Sequence, residues 1–77
     1  MPKFSPIDWK TLECVFLSAG FRFDRQEGSH RSYVKDGFAR PVVIPTYKEV
    51  PIFIIRNNMK TAGMSRAEYF RLLDQCR

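Results

Sequence analysis

The apolar residues of this chain change their spacing twice, and that change limits the folds open to it. Leu12, Val15, Phe16 and Ala19 recur at the spacing of one helix face. Past Gly20 the period drops to two: Phe21 and Phe23 alternate with Arg22 and Asp24, as in a strand with one buried face. From Ile52 the helical period returns, first in Ile52, Ile55, Met59 and Ala62, then in Tyr69, Leu72, Leu73 and Cys76. The elements are therefore expected in the order α-β-β-β-α-α.

The punctuation agrees with that order. Ser5-Pro6 reads as a helix start, because serine can cap free N–H groups and proline suits a first turn. Gly20 stops that helix. A break at Glu27-Gly28-Ser29 separates the first strand from a second over residues 30–35. Asp36-Gly37 signals a hairpin, since glycine reaches positive φ freely. A third strand is expected over residues 40–44, ended by Pro45, and residues 45–51 read as a loop. Gly63 ends the next helix, and Ser65 with Glu68 forms a capping box for the last one.

This predicts an α+β fold of two layers, a three-stranded antiparallel sheet with helices on one face. The other sheet face can stay open to solvent. Alternation turns Tyr33, Val42 and Ile44 inward with Phe21 and Phe23. It turns His30, Ser32, Val34 and Val43 outward. The only histidine of the chain then stands at the open face. Arg22, Arg31, Lys35, Arg40 and Lys48 are close enough in sequence to surround it with positive charge.

Size and charge narrow the function. Residues 1–77 have room for a single domain, and a domain so small buries only roughly 60% of its unfolded surface. A deep substrate cavity is not expected. Thirteen Lys and Arg against eight Asp and Glu leave a net charge of +5, which attracts polyanions such as nucleic acid. No apolar run approaches the ~20 residues of a membrane span. Residues 1–6 lack the apolar core of a signal peptide. Cys14 and Cys76 show no metal or redox spacing and read as reduced thiols of a cytoplasmic protein. There is no phosphate-binding glycine loop, no metal-ligand cluster and no Ser/His/Asp set, so no cofactor or metal is expected.

Gly20-Phe21-Arg22-Phe23, Gly28-Ser29-His30-Arg31-Ser32-Tyr33, Asp36-Gly37 and Val42-Val43-Ile44-Pro45 together resemble the HicA toxin family. So does the segment from Lys60 to Tyr69. The similarity runs over roughly residues 8–75. It implies a fold like that of double-stranded-RNA-binding domains. It also implies an mRNA-cleaving endoribonuclease toxin, active without metal and held inactive by a HicB-type antitoxin. His30 is then the catalytic residue. Two positions depart from the family pattern. Tyr47 stands where many members carry a second histidine, and Phe53-Ile54 replaces an opening Gly-Thr. The first departure predicts slow turnover, the second a changed partner surface.

The chemistry suits these residues. A 2′-hydroxyl that attacks its own phosphodiester must lose a proton, and the leaving oxygen must gain one. Imidazole is the side chain best suited to carry protons near neutral pH. Gly28 allows close backbone approach, Ser29 can donate a hydrogen bond, and Arg31, Lys35, Arg40 and Lys48 can stabilise phosphate charge. One imidazole cannot easily be acid and base at once, and Tyr47 or Lys48 is the candidate second group. Tyr33 and Phe23 suit core packing better than base stacking. Phe38, Phe53 and Ile54 are either core or, if exposed together, an apolar patch for the antitoxin. Two other functions fit the same residues: a non-catalytic RNA-binding module, and a protein-interaction subunit with an acidic partner.

Overall fold

The structure is a computed structural model that describes residues 2–77. Its elements are α1 (Trp9–Ser18), β1 (Arg22–Glu27), β2 (His30–Val34), β3 (Val42–Pro45), α2 (Ile52–Ala62) and α3 (Arg66–Cys76). The strands form one antiparallel sheet in the order β1-β2-β3. The expected α+β architecture is present, and it is consistent with a double-stranded-RNA-binding-domain-like fold.

Each helix buries the stripe that its spacing implies. Leu12, Val15 and Phe16 of α1 meet Ile55 and Met59 of α2 and Tyr69, Leu72 and Leu73 of α3 in one core. Tyr33, Val42 and Ile44 close that core from the sheet, all three fully buried. Gly63 ends α2 in the left-handed conformation, and the Oγ of Ser65 accepts from the Glu68 amide at the start of α3.

Four local expectations change. First, α1 is capped by Asp8, not Ser5: the Asp8 carboxylate accepts from the Lys10 amide. Residues 2–6 contain no helix, and the Val50 amide donates to the Ile7 carbonyl at 2.7 Å just beyond them. Second, Asp36-Gly37 turns the chain, with the Phe38 amide on the Lys35 carbonyl, but β3 starts only at Val42. Arg40 is therefore in a loop. Third, Phe23 shares the inner face with Tyr33 yet is 45% exposed. It sits on the outermost strand, where the helical layer covers less of the sheet. Fourth, Phe38, Phe53 and Ile54 do not make one patch. Ile54 packs on the core, Phe38 lies 5.4 Å from Phe21, and only Phe53 is largely exposed, at 66%.

The cysteines also differ from expectation. They are not separate thiols: Cys14 and Cys76 form a disulfide, with their Cα atoms 5.9 Å apart. The packing of α1 against α3 brings the two positions within bridging range despite a separation of 62 residues.

One core residue carries a cost. Asn58 is buried on α2, and its Nδ2 has no hydrogen-bond partner. A buried, unpaired donor typically costs about 1–3 kcal/mol. Asn58→Leu fills similar space without that donor. Its expected effect is a gain of about 1 kcal/mol or more, read as a thermal midpoint at least ~4 °C higher. A lower midpoint would mean that the amide stabilises the fold.

Candidate functional site

The site begins at the β1–β2 turn. Glu27 and His30 are register partners, so only Gly28 and Ser29 lie between the strands. Gly28 has φ +59°, and a first central glycine is what one class of two-residue hairpin demands. A Cβ there would meet nothing within 4 Å, so the backbone angle, not crowding, selects glycine.

A second segment pins this turn. The Ser29 carbonyl accepts from the Thr46 amide at 2.8 Å and from the Thr46 hydroxyl at 3.1 Å. The loop after β3 is held in turn by the Trp9 amide, which donates to the Tyr47 carbonyl at 3.1 Å. Gly28, Ser29, His30, Tyr47 and Lys48 are thus gathered at one end of the sheet, and all five are exposed. His30 lies outside the hydrophobic core and pairs in register with Pro45. Val43, beside Ser32, faces the same side.

Apart from Lys48, the cations do not gather there as the sequence suggested. Arg31 follows the parity of Tyr33 and turns toward the helices. Its guanidinium pairs with Glu13 of α1 at 3.1 Å and donates to the Tyr33 hydroxyl at 3.0 Å. That hydroxyl donates to Glu13, and the guanidinium stacks 4.2 Å from the Phe23 ring. Burial first, and the Glu13 hydrogen bond second, push the Tyr33 phenol up to about 12. Arg31 is thus a bracket between sheet and α1. Lys35 donates to the Ala19 carbonyl at 2.8 Å and so caps α1 at its C-terminal end. Arg22 pairs with Asp36. Arg40 lies in the loop before Val42, so the length of β3, roughly 10 Å, separates it from the His30 end. There it lines a shallow groove with Ala39, Asn57, Lys60 and Thr61. Among the described residues, neither Arg40 nor Lys60 has an ion-pair partner.

Two residues that simple alternation turns away from the open face belong to it. The β1–β2 register shifts between Phe23 and Arg25, so Arg25 opposes Ser32 and Glu27 opposes His30. This bulge at Asp24 turns both side chains to the His30 side. Arg25 Nε donates to Glu27 Oε1 at 2.8 Å, a bond that raises the Arg25 pKa further. Residues 24–27 are all polar, so no apolar alternation betrays the bulge in the sequence. Among the described residues there is no cluster of metal-ligating side chains.

The site is thus an open sheet face beside a tight turn, in a small basic α+β domain. The family model described as the HicA toxin of bacterial toxin-antitoxin matches residues 9–64, from the first residue of α1 to just past α2. The chain belongs to the HicA toxin family. Helix α3 lies beyond the matched residues. No curated protein matches the chain. Among the described residues, no helix is long and apolar enough to cross a membrane.

Proposed function

We propose that this toxin is a metal-independent endoribonuclease that cleaves mRNA in the cytoplasm, with His30 as a catalytic residue, and that a HicB-type antitoxin neutralises it. The observation that carries this reading is the exposed imidazole at the uncovered face, at the end of a pinned Gly28-Ser29-His30 turn. Proton transfer by imidazole needs neither metal nor cofactor. Ser29, Tyr47 and Lys48 are positioned to contact RNA at the same end. Arg31 and Lys35 act there only indirectly, by holding β2 against α1. The test is growth of bacteria on induction of the chain. Wild type arrests growth, His30→Ala does not, and co-expression of a HicB-type antitoxin relieves the arrest. Equal arrest by both forms removes His30 from the mechanism.

Arg40 and Lys60 extend the RNA contact away from the reacting phosphate. Such contacts add affinity without sequence information. Arg40→Ala is expected to weaken binding equally across RNA sequences and to lower the salt-dependence slope by about 1. Fluorescence anisotropy with an uncleavable RNA at several salt concentrations reads this. An unchanged slope means that the groove lies outside the footprint.

A further inference from the structure

We propose that Glu27 is the second proton-transfer group of this site, with Arg25 binding the phosphate beside it; this rests on the ribonuclease reading above. A concerted strand cleavage needs a base for the 2′-hydroxyl and an acid for the leaving oxygen. Ammonium and phenol groups are ordinarily protonated at neutral pH and serve as acids. A carboxylate is ordinarily ionised and can accept a proton. Glu27 is directly opposite His30 on the same face, which sets their Cβ atoms about 4.5–5.5 Å apart. Without the bulge at Asp24, both Arg25 and Glu27 would face the helical side. Bulges often re-aim side chains at functional sites.

The ion pair sets the roles. Arg25 holds Glu27 by Oε1, and Oε2 has no partner among the described residues. Asp24 takes Arg25 Nη1 at 3.3 Å, which leaves Nη2 for a phosphate oxygen. The loop after β3, pinned to this turn at Thr46, carries the titratable groups Tyr47, Lys48 and Glu49. In the reaction, Glu27 Oε2 takes the 2′-hydroxyl proton as the 2′-oxygen forms its bond to phosphorus. The bond from phosphorus to the 5′-oxygen breaks, and protonated His30 gives that oxygen its proton. The products are a 2′,3′-cyclic phosphate and a 5′-hydroxyl. Arg25 offsets the charge that builds on the phosphorane.

The test is single-turnover cleavage of a defined single-stranded RNA in chelator, over about pH 3–9 so that the window spans the ordinary carboxyl range, with the full chain. Wild type gives a bell: its rate rises with pH as the base ionises and falls as the acid deprotonates. Glu27→Gln is expected to lower the rate by about 10²-fold or more and to abolish the rising limb, leaving the falling one. Glu27→Asp restores part of the rate together with the rising limb. If His30→Ala is inactive while Glu27→Gln keeps both its rate and its rising limb, Glu27 is not the base and the ribonuclease reading stands. A slower Glu27→Gln with an unchanged pH profile assigns Glu27 a merely structural role and also overturns the proposal. If wild type does not cleave, or His30→Ala cleaves like wild type, the underlying reading falls and this proposal with it.

Discussion

His30→Ala is expected to cleave RNA about 10²–10⁴-fold more slowly than wild type, the usual contribution of one well-placed acid or base. The fold should not change with it. The imidazole is exposed, lies outside the core and follows a turn whose backbone bonds belong to Ser29 and Thr46. Thermal unfolding and RNA affinity therefore serve as controls, and both should stay near wild type. A variant that loses activity and thermal stability together would point to a structural histidine. Tyr47 offers no second imidazole at this end of the sheet, so even the wild-type rate is expected to be low. Slow turnover suffices for a toxin, because each cleavage removes a whole message from translation.

Reduction of the Cys14–Cys76 bridge is expected to have the largest effect on stability. The bond closes a loop of about 60 residues and ties the last residue of α3 to the middle of α1. Restricting the unfolded chain over such a loop stabilises the folded form by about 2–4 kcal/mol. In a domain this small, that corresponds to a thermal midpoint roughly 10–30 °C lower in reductant. Cys14→Ser should melt near the reduced wild type and be indifferent to reductant. Unfolded, unreduced wild type should show no free thiol. Equal midpoints with and without reductant would mean that the bridge adds nothing. Cytosolic thiols are mostly kept reduced, so under the cytoplasmic mRNA-cleaving function proposed above the gap between the two forms is also the stability given up at the place of action.

Periodicity carried most of the fold. The stripes Leu12-Val15-Phe16, Ile55-Met59 and Tyr69-Leu72-Leu73 are each buried where their spacing puts them, and Tyr33, Val42 and Ile44 face them from the sheet. What was not legible depended on events that leave no periodic trace. The bulge at Asp24 occurs in a wholly polar run, so Arg25 and Glu27 could not be assigned to a face. The cysteine pair is created by the docking of α1 on α3, although Cys76 continues the inner stripe of its helix. Asn58 falls on a buried helix position that a polar residue would not ordinarily take. The outward, exposed position of His30 was legible because strand parity gives it. The charge around it was not, because nearness in sequence cannot tell a free cation from one spent on structure. Arg31 meets Glu13, Lys35 meets the end of α1, and Arg40 stands at the far end of the sheet.

The most direct test is where RNA touches this protein. An oligonucleotide with deoxyribose at the scissile position binds but cannot react, and its titration into isotopically labelled protein can be followed by NMR. The largest shifts are expected at His30, Ser29, Ser32, Arg25, Val43 and Lys48, on the uncovered sheet face and the turn beside it. Shifts confined to the outer surfaces of α1 and α3, with the His30 signals unmoved, would contradict a cleavage site on this sheet.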